Sequence, residues 1–196
     1  MNFSLTPDQQ DIRTAILAHC ARFPDEYWLE RDREGVFPRD FFQSMVEAGW
    51  LGIALPVEFG GSGLGITEAA VMMQAIAESG ACMSGASSVH IPVFSLQPVV
   101  LFGTREQQER IIPPVIRGED QVCFAVTEPN AGLNTTELAT RARRHEGGYL
   151  VNGEKIWIST AQVANKMLLL ARTTPLEEVK RKTEGRSEER RVGTEC

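Results

Sequence analysis

Cysteine and histidine are scarce in this sequence, and neither is clustered. Cys20, Cys82, Cys123 and Cys196 form no CxxC pair, and His19, His90 and His145 stand far apart. A zinc site and a disulfide framework therefore have no support, no residue is assigned to a metal, and reduced thiols in a cytoplasmic setting are expected. Positive charge is in deficit: 20 Lys and Arg face 26 Asp and Glu, a net charge of -6. That balance does not suggest a nucleic-acid partner. No stretch reaches the roughly 18 apolar residues of a membrane span, and the start, MNFSLTPDQQ, lacks the basic-then-apolar order of a secretory signal. What is left is a chain of 196 residues, 42% apolar and 23% charged, which is ordinary for a globular protein of one large domain or two small ones.

Residues 1–118 read as helices. Thr6, Pro7 and Gln9 form a capping box with proline at the first helical position, and Ile12, Ala15, Ile16 and His19 follow on one face. FPRDFFQSMVEAGW predicts a helix that buries Phe41, Phe42, Met45 and Val46 and stops at Gly49. LPVEFGGSGLG has the glycines of a dinucleotide fingerprint but is flanked by helical sequence rather than a βαβ unit, so it reads as a connection. ITEAAVMMQAIAESGA is a helix whose Met72, Met73 and Ile76 suit a core. SVHIPVFSLQPVVLFG predicts a helix kinked at Pro98 and buried on most sides. In GTREQQERIIPPVIRGED, Thr104 and Gln107 make a second capping box, Ile111 and Ile112 face inward, Pro113 and Pro114 end or bend the helix, and Gly118 closes it.

From Gln121 the period changes. QVCFAVT and KMLLLART are strand-like, and LATRARRHEGGYLVNGEKIWIST reads as strands joined by tight turns at Glu146-Gly147-Gly148 and Asn152-Gly153. The expected architecture is α+β: a helical domain over 1–118, then a β domain over 119–185.

One stretch, CFAVTEPNAGLNTTEL, carries a strand straight into small hydrogen-bonding residues and a glycine. An exposed turn explains it in part. The same residues also suit a ligand: a chain leaving a strand exposes N–H groups, Ala131 and Gly132 permit close backbone approach, and Thr127 adds a hydroxyl. Further on, KIWIST offers a second strand end with Trp157 and Ser159, an aromatic surface beside small polar groups. Two such ends on one sheet can hold a heteroaromatic cofactor.

FAVTEPNAGLNTT, NGEKIWIST and GTREQQERIIPPVIRGE, in this order and spacing, resemble the acyl-CoA dehydrogenases, which are flavoproteins. The FGGSGLG loop and the helical first half agree, and the resemblance covers about residues 1–185. It implies an all-α N-terminal domain followed by a truncated antiparallel β-barrel or sheet. It implies FAD, with Phe124, Ala125, Val126, Thr127, Gly132, Leu133, Trp157, Ile158 and Ser159 in contact with it, Val126 and Thr127 nearest the ring, and Leu133 also at the acyl-CoA substrate. It implies removal of two hydrogens across the Cα–Cβ bond of an acyl-CoA, an electron-transfer flavoprotein or similar acceptor, and a homodimer or homotetramer. Where many members have serine and aspartate this chain has Leu133 and Asn134, which leaves the substrate class open. Glu128 is structural in the family, and no residue here is assigned as the catalytic base, which the family carries in a C-terminal helical domain.

The end, TEGRSEERRVGTEC, departs from the pattern. Residues 186–196 resemble the translation of a common sequencing-adapter oligonucleotide, RSEERRVGKEC, with Thr194 in place of lysine. The expectation is a non-native tail on a truncated reading frame, hence a fragment that binds flavin weakly or not at all and is inactive; the alternative is a solvated charged tail. Two other readings of function stay open: an acyl-CoA oxidase, and a non-catalytic acyl-CoA-binding or interaction module.

Overall fold

The structure is a computed structural model and describes residues 4–181 and the backbone of 186–190. The chain divides into two compact units, residues 1–120 and 121–196.

The first unit is helical: α1 Pro7–Cys20, α2 Asp25–Glu34, α3 Arg39–Glu47, α4 Ile66–Ile76, α5 Cys82–Ser95, α6 Gln97–Phe102 and α7 Arg105–Ile116. Both capping boxes form, with the Thr6 and Thr104 hydroxyls accepting from the N–H of Gln9 and Gln107. The buried stripe of α1 is narrower than expected: Ile16 and Cys20 are buried, His19 is half-buried and Ala15 is exposed. Phe41, Phe42 and Met45 of α3 are buried as expected, and Gly49 follows α3 with φ 79°. The core gathers Ile16, Phe41, Met45, Leu51, Met72 and Ile76, with Trp28 and Phe41 edge to face at 5.0 Å between ring centres.

Three expectations about helices are met only in part or not at all. Pro98 does not kink a continuous helix; α5 ends at Ser95 and Pro98 sits in the first turn of α6, where its missing N–H costs nothing. The expected burial holds over Ser88–Leu96, where Ser88, Val89, Ile91, Pro92, Val93, Ser95 and Leu96 are buried, and fails at the end of α6, where Val99 faces inward but Leu101 and Phe102 are 67% and 83% exposed. Pro113 and Pro114 lie inside α7 instead of ending it. Their carbonyls are taken by the N–H groups of Arg117, Glu119 and Asp120, and buried Ile111, Ile112, Val115 and Ile116 hold the last turns against the core. The apolar run Ile66–Phe102 is long enough to cross a membrane by length and composition alone. Ala77–Ala81 interrupts it as a π-turn with Gly80 at φ 91°, and 56% of its most apolar window is buried within the protein.

The second unit is one sheet of β1 Val122–Ala125, β2 Arg141–His145, β3 Gly148–Asn152, β4 Lys166–Arg172 and β5 Arg186–Arg190. The expected antiparallel pattern holds only for β2–β3 and β4–β5. β1 pairs with β4 in parallel from Val122–Lys166 to Ala125–Leu169, which the long connection between them permits. The β2–β3 turn has positive φ at both Glu146 and Gly147, the geometry that matches strand twist. The second expected turn does not make a hairpin: β3 ends at Asn152, and residues 153–158 have no regular secondary structure. Of the expected non-native tail, residues 191–196 lie outside the described residues, and the backbone of Arg186–Arg190 pairs with β4.

Candidate functional site

β1 is held by its ladder to β4 and delivers Val126 and Thr127 just beyond its end. There the chain folds on itself at once. The N–H of Glu128 donates to the carbonyl of Ala131 at 3.0 Å and the N–H of Ala131 returns to the carbonyl of Glu128 at 3.1 Å, closing a turn over Pro129 and Asn130. Ala131 is buried, whereas Gly132 and Leu133 project outward. A Cβ added at Gly132 meets nothing within 4 Å, so that backbone is open to close approach.

The second predicted segment is not a strand end, because KIWIST lies outside the ladder. It nevertheless joins the first. The N–H of Ile156 donates to the carbonyl of Thr127 at 3.0 Å. The Lys155 ammonium donates to the carbonyl of Val126 and to Glu128 Oε1, each at 2.8 Å. Trp157 then leaves the surface 87% exposed, with φ 58°. Of the residues read from the sequence, Val126 and Thr127 thus meet the segment carrying Trp157 at the exit of β1, whereas Ile158 and Ser159 lead back to Thr160, whose hydroxyl donates to the carbonyl of Val122 at the start of β1; Phe124 and Ala125 lie within β1, and Gly132 and Leu133 stand beyond the Glu128 turn.

Sequence reasoning gave Glu128 a structural role but missed the charged residues Lys155 and Arg172 that stand with it beneath this edge. Glu128 is 6% exposed. Its carboxylate accepts from Lys155 and from the N–H groups of Ala139 and Thr140. Burial by itself would raise its pKa; the ammonium and the N–H donors outweigh burial and hold it at about 2. Lys155, 9% exposed, is drawn below its ordinary value because burial outweighs the adjacent carboxylate. Arg172, 3% exposed, grips the same loop from the other side, with Nε on the carbonyl of Leu138 at 2.7 Å and the guanidinium on that of Thr136. The available signal was a lysine placed directly before the apolar run Ile156, Trp157 and Ile158. Among the described residues, no three His, Cys, Asp or Glu side chains stand together as metal ligands, and Cys20, Cys82 and Cys123 are free thiols.

Glu128 is therefore a committed anion that anchors a loop, not a proton acceptor waiting for substrate. What the edge offers a ligand is an exposed indole, open backbone at Gly132 and the Thr127 hydroxyl. These suit a flat heteroaromatic ring with polar edges, which is how the residues fit FAD.

The acyl-CoA dehydrogenase N-terminal domain matches residues 6–119, and the acyl-CoA dehydrogenase middle domain matches residues 123–187. The chain belongs to the acyl-CoA dehydrogenase family. It is 34% identical over 176 residues to benzylmalonyl-CoA dehydrogenase of Aromatoleum aromaticum, an alignment covering 88% of this chain and 45% of that protein. It is 36% identical over 178 residues to acryloyl-CoA reductase (NADH) of Anaerotignum propionicum, covering 89% and 44%. Among solved structures it is similar to the FAD complex of PigA, with a TM-score of 0.81 and 26% identity, covering 89% of this chain and 46% of that one. The chain thus spans about half the length of these family members.

Proposed function

We propose that the whole protein is an FAD-dependent acyl-CoA dehydrogenase that removes two hydrogens across the Cα–Cβ bond of an acyl-CoA thioester. The observation that carries this reading is the hydrogen bond from Ile156 to Thr127, which brings both motif segments to one edge with Trp157 exposed beside it. The named activities of the two relatives, a dehydrogenase and a reductase of CoA thioesters, support the substrate class.

In this reading the backbone and hydroxyl of Thr127, with Val126, meet the polar edge of the flavin. Trp157, Ile158 and Ser159 flank it, Phe124 and Ala125 back it, and Gly132 and Leu133 face the thioester end. FAD, when bound, supplies the two-electron acceptor for the hydride from the β carbon. The α proton leaves to a carboxylate base elsewhere in the whole protein, since Glu128 is fully engaged. Electrons pass onward to an electron-transfer flavoprotein or a similar acceptor. We also place the protein in the cytoplasm as a homodimer or homotetramer. The 196-residue chain by itself is proposed to bind FAD weakly or not at all and to be inactive.

The test is absorbance and turnover of the whole protein, with FAD titrated into the chain in parallel. A stoichiometric yellow flavin spectrum, loss of acyl-CoA to the enoyl product and little peroxide are expected. In the chain, any response of the fluorescence to millimolar FAD should be lost in Trp157→Ala. A whole protein with no flavin spectrum would sink the reading; abundant peroxide would instead indicate an oxidase.

A further inference from the structure

Residues 153–158 belong to no strand, yet their course is defined. Three consecutive residues of the first segment accept bonds from two consecutive residues of the second: the Val126 carbonyl and the Glu128 carboxylate from Lys155, and the Thr127 carbonyl from Ile156. Burying an ammonium is costly unless its acceptors are well placed, and both acceptors of Lys155 lie at 2.8 Å. Two residues on, Trp157 takes a left-handed φ of 58° that a bulky side chain disfavours, and burial does not compensate it. A residue in that state keeps one pose only where its flanks over-determine it. The flank on its N-terminal side is Lys155 and Ile156.

We propose that Lys155 is a positioning residue of the flavin site. Its ammonium ties the Val126 carbonyl and the Glu128 carboxylate to the second segment, and thereby sets the relative pose of Thr127 and Trp157 that receives the ring. The inference rests on the flavin reading of this edge given above. It also assigns the ionised Glu128 a purpose: it is the counter-ion that keeps Lys155 in place, and Glu128 in turn is held by Ala139 and Thr140. Lys155 acts through these groups and makes no contact with the reacting atoms.

The test uses the full 196-residue chain labelled with 5-fluorotryptophan, the Trp157 resonance being assigned with Trp157→Phe. The ligand probe is FAD at millimolar concentration. In Lys155→Met, the far-UV circular dichroism is expected to match wild type, the Trp157 resonance to shift or broaden, and the Ile156 amide to lose protection from exchange. The FAD response should weaken by about tenfold or more, as misplacement of a binding group does. Lys155→Arg, which keeps a charged donor, should recover part of each change. If Lys155→Met does not fold, the same readings are taken on the double variant Glu128→Gln/Lys155→Met, which leaves no buried charge unpaired. A folded variant with unchanged Trp157 resonance, Ile156 protection and FAD response overturns the proposal. If FAD leaves the wild-type Trp157 resonance of the chain unmoved, the flavin reading is decided by the flavin spectrum of the whole protein, and the ligand-free resonance and amide protection still decide whether Lys155 positions the segment.

Discussion

Glu128 is a carboxylate taken out of water and surrounded by donors, and that environment has a measurable pH signature. Its folded pKa of about 2 lies below the ordinary 4.5, so the unfolded chain binds its proton more readily than the folded one. The resulting stability, at most about 3 kcal/mol at 1.36 kcal/mol per pK unit, is fully present above pH 4.5 and fades as the pH falls through 2. Urea titrations across that acid window should show the loss, and Glu128→Gln should reduce the dependence, the lowered carboxyls of Glu68 and Glu119 keeping the remainder. Gly132 supports the opposite kind of prediction. An added methyl meets no atom within 4 Å, so Gly132→Ala should change stability by no more than about 0.5 kcal/mol, as surface substitutions do. The same methyl intrudes where the ligand's approach is proposed, so FAD affinity of the whole protein should fall. Calorimetry of the free and FAD-titrated variant separates the two effects; equal loss in both would place Gly132 outside the site.

At the scale of elements, local signals and long-range packing contributed differently. α7 begins where Thr104 and Gln107 satisfy each other's backbone N–H groups, a purely local arrangement. Thr104→Ala should therefore cost about 1 kcal/mol, read as a shifted denaturation midpoint with an unchanged slope. The end of α7 was not local: two prolines argue for a stop, and the buried isoleucine face and the reused carbonyls carried the helix past them. α2 was invisible in the sequence because DEYWLERDRE has almost no apolar stripe. It is anchored by buried Trp28, whose indole N–H donates to the Phe23 carbonyl at 3.1 Å, and by Gly35 at its end with φ 63°. In the sheet, the β2–β3 hairpin was legible from Glu146-Gly147, since a turn chooses its own φ values. The parallel pairing of β1 with β4 was not, since nothing near either strand specifies the partner.

For the whole molecule, the consequential quantity is the linkage between ligand and fold. FAD that binds only the folded state stabilises it by about 2.7 kcal/mol at a hundredfold excess over Kd. Thermal scans of the whole protein should rise accordingly with FAD, and the rise should shrink when Lys155 is replaced by methionine. The sequence by itself determined the helical first half, the change of period at Gln121, the caps and the hairpin turn, and the family to which its motifs point. All but the last depend on residues within a turn or two of one another, and the family resemblance depends on short motifs and their order along the chain. Only the tertiary structure decided that KIWIST is an irregular segment tied to the β1 exit, that Lys155, Glu128 and Arg172 are the buried charges organising it, and that Trp157 is held out in a strained pose. Those outcomes depend on which groups lose their water together, and that is settled by burial between segments far apart in the chain.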